Sequence, residues 1–120
     1  MQNFVRALVG GSMLLLAACR PNVNVQELVQ HPQVGDVYVV QFQPPGTAKP
    51  QFYLYRVQTV RPDAVDIAAA RQPVPELPTA APVPASFSTT LETYTRAQAL
   101  ELLHEQPGDV NHARLVEVLR

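Results

Sequence analysis

Few side chains of this 120-residue chain could support nucleophilic, metal or acid–base chemistry. It has one cysteine, three histidines, and a modest set of serines and carboxylates. The cysteine, Cys19, directly follows an apolar run that ends in the small residues Ala17 and Ala18. Because no second cysteine is present, the chain cannot form an internal disulfide, and a cluster of thiolates around a metal is excluded too.

The residues before Cys19 have the layout of a secretory signal. A charged start, Met1 to Arg6, precedes an apolar stretch from Ala7 to Ala18. That stretch of about twelve residues is shorter than the roughly 20 that a membrane-spanning helix requires. The pattern therefore predicts a cleaved leader over residues 1–18 rather than a permanent transmembrane helix.

The quartet Leu16-Ala17-Ala18-Cys19 resembles the lipobox of bacterial lipoproteins. This resemblance implies cleavage between Ala18 and Cys19, a thioether-linked diacylglycerol on Cys19, and a further acyl chain on its amine. Two or more acyl chains give a stable anchor, whereas one chain gives only marginal binding. Arg20, rather than an aspartate, follows the cysteine, which by the same analogy favours the periplasmic face of the outer membrane over the inner membrane.

Charge and composition bear on the class of partner. The formal net charge is −1, and the nine basic residues are scattered rather than clustered. Nucleic acid is therefore not an expected partner, because its binding requires a basic patch that neutralises phosphates. The expected partners are membrane lipid, through the acylated N-terminus, and a protein.

The motifs of common enzymes are missing from the sequence. No serine lies in a Gly-x-Ser-x-Gly elbow, and Gly35, Gly46 and Gly108 are the only glycines after the leader, too few for a phosphate-binding loop. Asp109 and His112 could share a metal on a helix, but no third ligand is spaced to join them. The sequence predicts no catalytic residue, no metal and no other cofactor.

The mature chain divides into a tether and one domain. Residues 19–33 are polar and contain Pro21 and Pro32, which predicts a lipidated tether with at most one helical turn near Glu27. The turn Val34-Gly35-Asp36 predicts the start of a single domain over residues 34–120.

Alternating apolar residues predict a three-stranded antiparallel meander. The strands are expected at Val37–Phe42, Gln51–Arg61 and Ala64–Ala70, where β-branched and aromatic side chains recur. Five prolines over residues 72–85 predict a surface connector without a core of its own. A threonine-rich stretch, Ser86–Tyr94, could form a fourth strand.

One helix and a closing element complete the domain. Thr95 and Gln98 have the spacing of a capping box, and Arg96–Glu105 has an apolar side at Ala99, Leu100 and Leu103. Residues 114–120 suit a strand better than a second short helix. The fold class is therefore α+β, and short curled meanders of this kind resemble SH3-like small barrels.

The tyrosines of the first two strands are the candidate partner-binding residues. Tyr38, Tyr53 and Tyr55 could form a core with hydroxyls at its rim, or an exposed face that binds a partner, since aromatic residues are enriched at interface centres. The sequence favours a non-enzymatic, lipid-anchored binding or accessory protein of the periplasm. Its partner would be an envelope-complex component or a secreted toxin to be neutralised. The alternative is a structural envelope lipoprotein without a dedicated ligand.

Overall fold

Apolar side chains on both faces of a five-stranded sheet organise this protein. The computed structural model describes residues 22–120 and confirms the α+β class. Its elements are α1 (Asn22–Gln30), β1 (Val37–Phe42), β2 (Gln51–Val60), β3 (Ala64–Ala70), a 3-10 turn (Pro84–Ser86), β4 (Phe87–Thr95), α2 (Arg96–Glu101) and β5 (Arg114–Leu119).

The sheet is antiparallel throughout and has the order β4-β3-β2-β1-β5. The predicted meander of β1 to β3 is confirmed, the fourth strand forms beside β3, and residues 114–119 form a strand that pairs with β1. The sheet does not close into a small barrel, because β4 and β5 lie at opposite edges and do not pair with each other.

The sheet has three irregularities in its pairing and one apolar cluster on each face. Register shifts lie between Val39 and Val40, between Val57 and Thr59, and between Ala68 and Ala70, and such bulges increase strand twist. One face packs against α1 and α2. Its buried members are Val25, Val29, Tyr38, Val40, Val57, Val65, Ile67, Ala99, Leu115 and Val118. The opposite face has a smaller cluster: Val37, Val39, Phe52, Leu54, Ala68, Ala70 and Phe87.

Helix α1 corrects the prediction of a tether up to residue 33. Val25 and Val29, four residues apart and therefore on one side of the helix, are 4% and 2% exposed in the first cluster. Leu28 packs beside them. The short apolar pattern in this polar stretch was sufficient for a docked helix because the sheet supplies its partner surface. The domain therefore includes α1 and begins earlier than Val34.

Two arginines fix the C-terminal end of α1. Arg120 donates to both carboxylate oxygens of the buried Asp36 at 3.0 Å, and to the backbone carbonyl of His31 at 3.0 Å. Arg96 reaches the carbonyl of Gln30 at 3.5 Å. Cations at a helix C-terminus complement its unpaired carbonyls and its dipole. These contacts join α1 to β5 and to α2.

The capping box of α2 is confirmed, but the helix is shorter than predicted. The Thr95 hydroxyl accepts from the Gln98 backbone at 3.0 Å, and the Gln98 side chain accepts from the Thr95 backbone at 2.9 Å. The helix ends at Glu101 rather than Glu105. The carbonyl of Leu102 accepts a 2.6 Å bond from the Leu115 backbone instead of continuing the helix. A hydrogen bond from strand β5 therefore takes the place of the bond that would extend the helix.

The proline-rich connector of residues 72–85 is mostly exposed. It touches the sheet at Val74, whose backbone exchanges two hydrogen bonds with Phe52, at 2.8 and 2.9 Å. Val74 also packs against the second apolar cluster. The connector is thus a surface segment with a single sheet-like contact.

Candidate functional site

Three aromatic side chains of β1 and β2 form a row. Tyr53 and Tyr55 stand two residues apart on β2 and stack, with their ring centroids 5.4 Å apart and an interplanar angle of 21°. Phe42 of β1 lies 6.4 Å from Tyr53. All three rings are half-buried. The structure thus brings the two predicted tyrosines together, and we call Phe42, Tyr53 and Tyr55 the aromatic row.

Tyr38 is not part of this surface, which corrects its prediction as a partner-binding residue. It pairs with Tyr55 on one side and Val118 on the other, and it is completely buried in the cluster beneath the helices. Burial, followed by the charge of Asp36, raises the pKa of Tyr38 to about 12. Within residues 22–120 its hydroxyl has no hydrogen-bond partner. Tyr38 is therefore a core residue.

Strand β4 adds Tyr94 and Glu92, which sequence reasoning missed. They lie two residues apart and so face the same side of the sheet, and the Tyr94 hydroxyl donates to Glu92 Oε1 at 3.5 Å. Burial, followed by the neighbouring Tyr94 and Glu92, raises the pKa of Tyr55 to about 12. The pKa of Tyr94 is raised as well, first by burial and then by the charge of Glu92. These phenols therefore remain neutral hydroxyl groups at physiological pH.

An open cleft of about 630 Å³ lies between β4, α2 and the loop that leads to β5. Val40, the cross-strand partner of Tyr53, is one of its lining residues. Three segments supply its polar and charged lining. Strand β4 contributes Glu92, Thr93 and Tyr94, and α2 contributes Gln98 and Glu101. The loop after α2 and the first residue of β5 contribute His104, Gln106, Asp109 and Arg114. The cleft and the aromatic row together are the candidate functional site.

Hydrogen bonds within the chain shape the loop that closes one side of the cleft. The Asp109 carboxylate accepts from the backbones of Asn111 and Ala113, both at 2.9 Å, and these bonds hold the pKa of Asp109 below its usual range. His112, in a left-handed conformation with φ 53°, contacts Glu105 at 2.5 Å. The bond to Glu105 raises the pKa of His112. Asp109 and His112 are thus engaged with different partners.

The candidate site presents aromatic faces, hydroxyls and carboxylates. In residues 22–120, no three His, Cys, Asp or Glu side chains are placed to hold one metal ion. Over the same range no helix has the length and hydropathy needed to cross a membrane. The predicted lipidation at Cys19 and cleavage at Ala18 lie outside the described residues.

No similarity to a known protein indicates the function of this chain, so its assignment depends on the fold and on this site. No protein-family model matches the chain. Searches of curated proteins and of solved structures likewise returned no significant match. The class that the structure defines is a small α+β protein with an open, antiparallel five-stranded sheet.

Proposed function

We propose that this chain is a lipid-anchored, non-enzymatic binding or accessory protein of a bacterial cell envelope. The support for anchoring is the quartet Leu16-Ala17-Ala18-Cys19 with its apolar leader. In this proposal Cys19 carries the lipid, and the protein sits on the periplasmic face of the outer membrane. A protein partner is then held close to that membrane.

The stacked pair Tyr53–Tyr55 beside an open cleft is the observation that carries the binding proposal. Tyrosine combines a large apolar face with a hydroxyl and loses little side-chain freedom on binding, which is why aromatic residues dominate interface energetics. The two rings stand on the second strand of a five-stranded sheet, between β1 and β3. A rigid support of this kind lowers the entropic cost of forming an interface.

In this proposal the domain begins close in sequence to the lipidated residue. Helix α1 begins three residues after Cys19 and packs on the domain through Val25 and Val29. A lipid on Cys19 would therefore hold the domain close to the membrane surface. An envelope-complex component or a secreted toxin that must be neutralised at the membrane would meet the domain there.

Site-specific photo-crosslinking in living cells tests the binding proposal. A photoreactive phenylalanine analogue replaces Tyr53 in the full chain, and replaces Leu77 of the connector in a control; Leu77 is 52% exposed. We expect one defined protein adduct from position 53 and none from position 77. Position 94 provides a second probe if the analogue at position 53 disturbs the aromatic stack.

The absence of a crosslinked adduct would contradict the binding proposal. If neither position 53 nor position 94 yields an adduct, the binding proposal is wrong. In that case we expect a strain that lacks the protein to have a fragile envelope. A structural envelope lipoprotein without a dedicated ligand would then explain the chain better.

A further inference from the structure

The carboxylates that line the cleft have no cationic partner in the described part of the chain. Glu92 and Glu101 are exposed, and the three salt bridges found among residues 22–120 involve other carboxylates: Asp36, Asp66 and Glu105. Asp109 supplies a third negative charge to the lining. Arg114 is the one lysine or arginine among the lining residues of this range. The cleft therefore carries excess negative charge, with two carboxylates available to a ligand.

Aromatic rings lie beside these carboxylates. Tyr94 lines the cleft next to Glu92, and the Tyr53–Tyr55 stack lies on β2, two strands away from β4. A cation that lies over a tyrosine ring within about 6 Å of its centroid is attracted by the electrons of the ring. The carboxylates of the cleft and the ring of Tyr94 thus both attract positive charge.

The spacing of the acidic groups favours one type of cation. The acidic groups of the described residues do not converge in a set that could hold a metal ion. An arginine guanidinium suits such a spread arrangement, because it is planar, stacks on aromatic rings and can bond a carboxylate through two nitrogens. A phosphate-bearing ligand would instead be repelled by the cleft.

We propose that the cleft binds an arginine-containing, basic segment of the partner protein. The inference rests on the proposed binding function and adds the chemistry of the partner to it. One guanidinium is held between Glu92 and Glu101, with Tyr94 contributing a ring face. Apolar parts of the same segment pack along the aromatic row.

Peptide binding to the full lipidated chain in a non-ionic detergent tests the charge preference. The probes are an oligoarginine and an oligoglutamate peptide, and the cleft variant is Glu92→Gln/Glu101→Gln. The matched control, Glu27→Gln/Glu76→Gln, removes two exposed carboxylates outside the cleft. We expect oligoarginine to bind the wild type and the control equally, and the cleft variant on the order of fivefold more weakly.

Equal affinity of oligoarginine for the cleft variant and the control would overturn the inference. Binding of oligoglutamate as strong as that of oligoarginine would do so too. Because both mutated glutamates are exposed, circular dichroism should show the same fold in every variant.

Crosslinking from position 53 separates the failure of this inference from that of the proposed function. In the cleft-variant background, the inference predicts a lower yield of the adduct than in the wild type. In the wild-type background, it predicts that the crosslinked segment of the partner contains arginine. An adduct of undiminished yield in Glu92→Gln/Glu101→Gln would refute the inference and leave the binding function standing. Absence of any adduct in the wild-type background would refute the binding function itself.

Discussion

Replacement of Val29 by alanine tests whether α1 is part of the domain or a free tether. Val29 is 2% exposed and lies among the residues that join α1 to the sheet. Val34, five residues later, provides a matched control because it is 61% exposed. The same substitution at both positions removes the same atoms from opposite environments.

The expected loss of stability on Val29→Ala follows from the buried side-chain volume that the substitution removes. A valine-to-alanine change removes two carbon groups, which at about 0.8 kcal/mol each amounts to about 1.6 kcal/mol. The cavity left behind adds to this loss. Alanine favours a helix over valine by about 0.5 kcal/mol, which offsets part of the loss in α1. We expect Val29→Ala to lower the free energy of unfolding by about 1.5–2 kcal/mol.

Thermal and urea unfolding of the full chain in detergent provide the assay. For a domain of about this size, 1 kcal/mol corresponds to roughly 4–8 °C in melting temperature, so Val29→Ala should melt roughly 6–16 °C below the wild type. Val34→Ala should stay within about 0.5 kcal/mol of the wild type, as exposed sites do. Small and equal effects at the two positions would mean that α1 does not dock, and that residues 19–33 form a tether after all.

Three further predictions concern polar interactions. Arg120→Ala leaves the carboxylate of Asp36, which is 1% exposed, without its ion pair and should cost about 2 kcal/mol of stability in urea unfolding. Thr95→Ala removes one half of the capping box and should cost about 1 kcal/mol in the same assay. Burial raises the pKa of Tyr38 and of Tyr55 to about 12, whereas the unfolded chain ionises tyrosine near pH 10; stability should therefore fall as the pH rises from about 10 to about 12.

Each of these predictions has its own control. Arg71→Ala, at an exposed arginine without a salt bridge in residues 22–120, should change stability by less than about 0.5 kcal/mol. Thr79→Ala in the connector is the corresponding control for the cap. Tyr38→Phe and Tyr55→Phe should each weaken the dependence of stability on alkaline pH, and an unchanged dependence in both variants would contradict the burial of these hydroxyls.

The strands could be predicted because their patterns are local. Two predicted strands, Val37–Phe42 and Ala64–Ala70, match the structure at both ends, and the Thr95–Gln98 capping box fixed the start of α2. The sequence is less informative about the side of the sheet that each residue faces. Residues 37–40 are all apolar and all buried, on both sides of the sheet. No polar residue alternates with them, so the sequence does not show which side of the sheet Tyr38 faces.

The candidate site depends on long-range arrangement that a single sequence does not contain. Glu92 and Glu101 line one cleft because β4 lies at one edge of the sheet and α2 turns back from its end. The cleft also needs the loop before β5, a strand that joins the sheet on the far side of β1. The same limit applies to α1: its spacing of Val25 and Val29 is helical, but its docking depends on a sheet that forms later in the chain.

Intact-mass spectrometry of the protein extracted from bacterial membranes tests most directly the anchoring on which the proposed function depends. We predict a chain that begins at Cys19 and carries the mass of a diacylglycerol and one further acyl chain. The Cys19→Ser variant should lack this increment and should no longer partition into the detergent phase. A wild-type protein without any lipid mass at Cys19 would contradict the proposal.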